Sequence, residues 1–342
     1  MVDNTSKTPF VIAEISGNHN GSLERALEIV RAVADAGASA VKIQTYTADT
    51  ITLDVDAPAF RVSEGHELWG SRTLHDLYEE AHTPWEWHEP IFTLANELGL
   101  TAFSTPFDET AVEFLESLNV PLYKIASLEI IDLPLINLVA QTGKPMIISV
   151  GTASIAEVAS AVDAARSGGC TDLTLLACTS SYPALPDDAN LRRIPVMAEM
   201  FGTKVGLSDH TLGTGVSIAA VALGATVIEK HVTLSRADGG VDSAFSLEPA
   251  ELRQLVAGCD AAVRALGSAS EWSSAAETES LRLRPSLYVA EDVAAGDVAT
   301  YENVRSVRPG GGLPPVEINR VVGRTFRVSA TKGTPVVWDL LA

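Results

Sequence analysis

Gly206-Leu207-Ser208-Asp209-His210-Thr211 and Val227-Ile228-Glu229-Lys230-His231-Val232-Thr233 decide how the rest of the chain is read. Each begins as an apolar β-strand, turns polar in its last residues and carries a histidine there. Between them, residues 213–224 are rich in small side chains with apolar positions at helical spacing, so the unit reads strand, helix, strand. Two parallel neighbours then present His210 and His231 side by side at one edge of a sheet, with Asp209 and Glu229 close by. Neutral imidazoles supply the lone pairs a divalent metal needs, and carboxylates orient the rings. Either histidine alone reads as a hydrogen-bonding residue of the fold; the pair reads as a metal seat at a catalytic mouth.

The alternation runs outward in both directions. Phe10-Val11-Ile12-Ala13-Glu14 is a near-continuous apolar strand of the kind buried on both faces, followed by a turn at residues 17–21. Ser22 caps a helix that Gly37 ends. Further strands are predicted at 40–46, 102–107, 122–127, 146–151, 173–179, 205–211 and 227–233, and helices at 84–98, 109–118, 134–142, 154–167, 191–201, 213–223 and 249–266. Strict alternation of this kind predicts an α/β fold, a closed (β/α)8 TIM barrel, over an open doubly wound sheet. No dinucleotide or phosphate-loop glycine signature follows a strand. One connection, residues 47–83, is long enough to read as a partial lid with a short helix over the catalytic end. The barrel is expected to span residues 1–266, a Ser- and Ala-rich linker 267–284, and a small β-rich domain 285–342.

At 342 residues, 46% hydrophobic and 20% charged, the chain can bury a large core. A formal charge of -20 with a pI near 4.7 disfavours nucleic acid and anionic membranes as partners, so an anionic substrate would need local Lys and Arg. Cys170, Cys178 and Cys259 are odd in number and widely spaced, and read as reduced buried thiols. Without a basic-plus-apolar leader or a long uncharged apolar run, a cytoplasmic protein is expected, its residues 1–8 frayed.

Polar residues recur at the predicted strand ends, where a barrel gathers its chemistry. Lys42 and Lys124 interrupt apolar strands, where an unpaired ammonium is costly. Ion pairing to Glu14 or Glu129 would explain them; the favoured reading is that both face one bound anion, with hydroxyls of Thr105, Ser127, Ser149 and Ser208 completing a phosphate and carboxylate cradle. Glu14 and Glu129 are candidates for proton transfer or for stabilising a developing cation. Asn18-His19-Asn20 reads either as a polar contact to substrate or as turn geometry. His66, His75, His82 and His88 are assigned no role. Asp238 and Asp242 either reach a sugar hydroxyl or form a solvated turn, and Arg308 reads on its own as a surface turn residue.

Six ordered blocks then carry a resemblance. Residues 12–21 (Ile-Ala-Glu-Ile-Ser-Gly-Asn-His-Asn-Gly), Val41-Lys42-Ile43-Gln44-Thr45, Phe103-Ser104-Thr105-Pro106-Phe107, Tyr123-Lys124-Ile125-Ala126-Ser127, residues 206–211 and Glu229-Lys230-His231 together resemble the sialic acid synthase family. The likeness continues into a tail resembling the antifreeze-like (SAF) domain of those enzymes. Leu68-Trp69-Gly70, Leu74-His75-Asp76-Leu77-Tyr78, residues 83–87 and residues 284–288 most resemble the members acting on 2,4-diacetamido-2,4,6-trideoxy-altrose. The resemblance implies condensation of phosphoenolpyruvate with an N-acetylated amino-sugar in its open aldehyde form. It implies a divalent ion, Mn2+ before Mg2+ or Co2+, on His210 and His231, and Glu129 beside the cationic carbon. It assigns Lys42, Thr105, Lys124, Ser127, Ser149 and Ser208 to phosphoenolpyruvate, and Glu14, Gln44, Tyr182 and Asp242 to the sugar. Arg308 would reach the barrel mouth of the partner in a domain-swapped homodimer. Ser180 and Lys230 depart from the asparagine and arginine of the sialic acid synthases proper, which weighs against N-acetylmannosamine. N-acetylneuraminate or legionaminate synthesis stays open, as does a metal-dependent aldolase that does not use phosphoenolpyruvate; a carbohydrate-binding scaffold fits the buried lysines poorly.

Overall fold

The computed structural model describes residues 8–62, 69–70, 72–268, 270 and 274–342. The expected fraying of the N-terminus, His66, Leu68 and part of the Ser- and Ala-rich stretch after residue 267 fall wholly or mainly outside them. The chain divides between Leu266 and Gly267 into two compact units.

In the first unit, eight parallel strands close into a barrel in sequence order. They are β1 Phe10–Glu14, β2 Ala40–Thr45, β3 Thr101–Pro106, β4 Tyr123–Ile125, β5 Met146–Ser149, β6 Leu173–Cys178, β7 Lys204–Ser208 and β8 Val227–His231. β8 returns to β1 with Glu14 opposite His231, which closes the ring. The strands are apolar almost throughout because both faces are covered. Outward residues such as Val11, Val41, Ile148 and Leu175 pack with the helices in one core, while Ile12, Ala40, Phe103, Ile147, Leu176 and Val227 form a separate plug inside the barrel. Gly206 belongs to that inner layer: a Cβ there would meet the Val227 carbonyl at 2.3 Å and the Leu176 side chain at 2.6 Å. One pleat beyond the plug, the inward positions turn polar, so the mouth begins where apolar packing ends.

The helices form for legible reasons. Ser22 accepts from the Arg25 amide ahead of Leu23–Asp35, and Gly37 follows in a left-handed conformation at φ 80°. Ser154 and Glu157 form a reciprocal cap on Ile155–Ser167. Three details differ from the expectation. Among its described residues the long connection after β2 holds two helices, Ala48–Ile51 and Leu74–Ala81, each begun by a threonine cap, where a single short one was read. The helix expected over 84–98 opens with a 3-10 turn, Trp85–Trp87, before His88–Glu97. β7 ends at Ser208, so His210 stands two residues beyond its strand, on the loop.

The second unit pairs β9 Ser286–Val289 antiparallel with β10 Val304–Val307, and holds its remaining extended segments by isolated bridges. Leu287, Val289, Val304, Val321, Phe326 and Val336 fill its own core. A 3-10 turn, Ala275–Glu277, and a helical turn, Thr278–Leu281, occupy much of the stretch read as linker. Among the described residues no helix is long and apolar enough to cross a membrane.

Candidate active site

Four strands place four charges inside the barrel mouth. Lys42 (β2) forms a close ion pair with Glu14 (β1), donates to Thr105 Oγ1 at 3.1 Å and lies 3.8 Å from Glu229 (β8). Lys124 (β4) lies 3.9 Å from the same Glu229 oxygen and donates to the Ile125 carbonyl at 2.9 Å. All four side chains are buried. Burial pulls the Lys42 ammonium down, but the Glu14 and Glu229 carboxylates outweigh it and hold its pKa above the ordinary value. Lys124 lacks a contact as close as that to Glu14, and burial leaves its pKa lowered. Burial together with Glu229 pushes Glu14 up to about 7 against the pull of Lys42. Ion pairing with Glu14 is thus present, pairing with Glu129 is not, and the shared counter-charge is Glu229, to which sequence reasoning gave only a place near the histidines.

Hydroxyls surround the ammonium groups. Ser208 donates to Glu229 at 3.3 Å, Ser127 and Ser180 share a hydrogen bond of 2.5 Å, and Ser149 Oγ is buried without a hydrogen-bond partner. Gly151 makes room for the serine pair, since a Cβ there would sit 2.2 Å from Ser180 Oγ. Lys42, Gln44, Thr105, Lys124, Ser149 and Ser208 line a cavity of about 360 Å³, including its opening to solvent, and His210, His231, Tyr182 and Cys178 continue its wall.

The histidine rings approach to 5.4 Å between centroids. His210 Nδ1 sits 2.9 Å from the Thr179 carbonyl, which only an N–H can satisfy. Burial pulls the His210 pKa down, but Cys178, that carbonyl and Glu229 outweigh it and hold it above the ordinary value. His231 Nδ1 is buried without a partner, 4.0 Å from Asp242 Oδ2. Burial first, then the nearby cationic groups, hold the His231 pKa well below its ordinary value, so the ring is neutral. Two adjacent imidazoles, one of them neutral with an unsatisfied buried nitrogen, fit a divalent ion. Among the described residues, no group of three or more His, Cys, Asp or Glu side chains comes together as a metal site.

Several expectations are corrected here. Asp209 touches neither imidazole directly: it accepts from the Thr211 amide and hydroxyl, from Ser217 and from Lys230 Nζ. The carboxylate beside His231 is that of Asp242. Lys230 alternates with His231 on β8 and so points away from the cavity, fully buried against Asp209 at 3.1 Å. Asn18 is structural, its amide bonded to the Val232 carbonyl and Ser246. Asp238 pairs with Arg25 near the surface, whereas Asp242 is buried. Glu129 opens the turn Glu129–Ile131, half-buried at the rim and outside the cavity wall, with its pKa raised by burial. Arg308 belongs to the second unit and is exposed.

Phe245 and Trp69 were missed. Phe245 sets its ring against both histidines, 6.2 Å from His210 and 5.1 Å from His231, and Tyr182 lies 4.4 Å from His210. Trp69, on the long connection, packs on Tyr182 and donates to the Val241 carbonyl at 2.9 Å. No local pattern marks either residue; Trp69 was noticed only through the resemblance.

A closed (β/α)8 barrel with buried ammonium groups and twin imidazoles at its C-terminal mouth defines a class, the barrel enzymes that build their site from strand ends. Within that class, the chain belongs to the NeuB family, whose model matches residues 29–271, and a SAF domain model matches residues 284–342. The pseudaminic acid synthase of Helicobacter pylori is 40% identical over 332 residues, covering 97% of each chain. The N,N'-diacetyllegionaminic acid synthase of Legionella pneumophila is 37% identical over 341 residues, covering 98% of this chain and 95% of its own. Among solved structures, the N-acetylneuraminic acid (sialic acid) synthetase of Leptospira borgpetersenii superposes with a TM-score of 0.70 at 32% identity, over 81% of this chain and 91% of that one.

Proposed function

We propose that this chain carries out the pseudaminic acid synthase reaction: phosphoenolpyruvate condenses with open-chain 2,4-diacetamido-2,4,6-trideoxy-altrose to give a nine-carbon 2-keto acid and phosphate. The observation that carries this reading is the pair of buried ammonium groups beside the unpartnered Ser149 hydroxyl and the adjacent imidazoles of His210 and His231. A buried Lys pair facing a cavity is poised for a dense anion, and Thr105, Ser127, Ser149 and Ser208 add donors for phosphate and carboxylate oxygens. Ser180 braces Ser127 through their mutual bond.

Gln44, Tyr182 and Asp242, with Glu14, hold the sugar. His210 and His231 would hold a divalent ion, Mn2+ first and Mg2+ or Co2+ as substitutes, which as a Lewis acid polarises the aldehyde. Attack by the enol carbon leaves positive charge at C2 of the phosphoenolpyruvate unit, which water captures before phosphate departs with C–O cleavage. Glu129, its carboxyl held up by burial, stabilises that charge from the rim and takes the water's proton.

Two features support a domain-swapped homodimer. The six most exposed large hydrophobics of the described barrel residues, Leu53, Leu128, Ile131, Ile155, Leu185 and Leu212, all lie where a strand leads into its following helix, around the mouth. Arg308, exposed on the small unit, is the group that would complete a partner's site. A cytoplasmic location belongs to the same reading.

The test offers phosphoenolpyruvate, labelled with 18O at its bridging oxygen, together with altrose, mannose and legionaminate-precursor sugars, and follows products by mass spectrometry. The expected result is a nine-carbon acid from the altrose sugar, label in the phosphate and no phosphate without sugar. Phosphate released from phosphoenolpyruvate alone, or preferred turnover of the mannose sugar, overturns the reading.

A further inference from the structure

We propose that Lys230, Asp209 and Ser217 form a positioning clamp, behind the barrel wall, that sets the distance between the two histidines and so the affinity for a divalent ion. The inference rests on the metal reading above and deepens it.

His231 is the last residue of β8, and its place is fixed by the strand. His210 is different, because β7 ends at Ser208: the Asp209 amide still donates to the Glu229 carbonyl of β8 at 2.9 Å, but the His210 carbonyl accepts from Ala184 on a neighbouring loop at 3.1 Å. Something must aim that loop. Asp209 does so by accepting from the Thr211 amide at 2.9 Å and hydroxyl at 2.7 Å, which folds residues 209–211 into a tight turn around His210. Its other oxygen accepts from Ser217 on the following helix at 2.5 Å and from Lys230 Nζ at 3.1 Å. Lys230 also donates to the Thr211 carbonyl at 2.6 Å. The ammonium thus grips both ends of the turn, and its own strand neighbour is His231.

The clamp is completely inside the protein. The side chains of Lys230 and Asp209 are 0% and 1% exposed, and Ser217 and Thr211 are buried. Burying an ion pair rarely adds stability over an apolar pair of equal volume, so its value here lies in direction: charge-assisted bonds from β8 to the β7 loop have one good geometry. Because none of the three side chains faces the cavity, they reach the ion only through the histidines, as positioning residues.

The experiment titrates Mn2+ into metal-stripped wild type, Lys230→Arg, Lys230→Met and the double variant Asp209→Asn/Lys230→Met, with thermal unfolding of each in parallel. Lys230→Met leaves a buried carboxylate without its cation and can fail to fold; the double variant removes both charges and keeps the volume. The expected result is a dissociation constant weakened by about 10- to 100-fold in the folded double variant, with Lys230→Arg near wild type. The Mn2+ concentration for half-maximal activity should rise in parallel, while the KM for phosphoenolpyruvate stays within about twofold. A folded double variant that binds Mn2+ as wild type does overturns the clamp alone. Wild-type protein that takes up no divalent ion overturns the metal reading and the clamp together.

Discussion

Replacing Lys124 with Met separates what the buried charges do for stability from what they do for catalysis. In the mouth, Lys42 and Lys124 balance Glu14 and Glu229, and Glu229 Oε1 is held between the two ammonium groups at 3.8 and 3.9 Å. At an effective dielectric of about 20, each of those contacts is an attraction of about 4 kcal/mol. Lys42 is already engaged by Glu14, so Lys124→Met leaves Glu229 poorly compensated, and breaking such a buried pair costs about 3–5 kcal/mol. For a barrel of this size the unfolding midpoint should fall by on the order of 10 °C. The penalty has a pH signature. Glu229 is now held below the ordinary carboxylate range, Lys124 being the largest force opposing its burial. Without Lys124 its folded pKa rises above the unfolded value, so the deficit grows as pH rises through that window and shrinks on acidification, when the carboxyl takes a proton. Adding Glu229→Gln to Lys124→Met removes the stranded charge and should restore most of the lost stability, yet neither variant should condense phosphoenolpyruvate at more than about one hundredth of the wild-type rate. Differential scanning calorimetry from pH 5 to 8 and phosphate release read the two effects separately. A single variant as stable as wild type, or a double variant no better than the single, refutes the charge-balance argument.

Gly151→Ala should leave the fold intact, because the nearest atoms to the added methyl belong to two short side chains, Ser180 Oγ at 2.2 Å and Ser127 Cβ and Oγ at 3.1 Å; losing their geometry should raise the KM for phosphoenolpyruvate roughly tenfold in steady-state assays. His88, buried and bonded to Thr45 at 2.8 Å, has its pKa lowered by burial to about 4. Its unfolded form charges below about 6.5 while the folded form does not, so stability should fall by up to about 3 kcal/mol as pH drops from 6.5 to 4, and urea melts of His88→Asn should lose that part of the slope. Arg308→Ala and His231→Ala homodimers should each be nearly inactive, whereas unfolding them together and refolding should recover about a quarter of wild-type activity, since half the dimers carry one intact composite site; no recovery refutes the swapped arrangement.

How much of this was legible in the sequence follows from strand parity. Inside a closed barrel only alternate residues of a strand reach the cavity, and β8 shows the rule plainly: Val227, Glu229 and His231 face in, Ile228 and Lys230 face out. Applied strictly, that arithmetic would have placed Glu229 in the mouth beside Lys42 and Lys124, and turned Lys230 toward the helices. It works equally for Lys42 with Gln44 on β2 and for Phe103 with Thr105 on β3, which is why the strand-borne half of the site could be read. Parity stops where the strand stops. His210, Asp242, Phe245 and Trp69 sit on connections whose course is set by bonds to distant segments, such as Trp69 to the Val241 carbonyl and Asp242 to the Gly17 amide at 3.4 Å. His210 was placed beside His231 by pairing the two, and it takes up that position because Lys230 and Asp209 extend the order of β8 across to the loop. An outward-facing polar residue next to a functional one is therefore informative in its own right. Burying a charge on the helix side of a barrel wall has a free-energy cost, and the compensating partner identifies the loop whose position the site depends on.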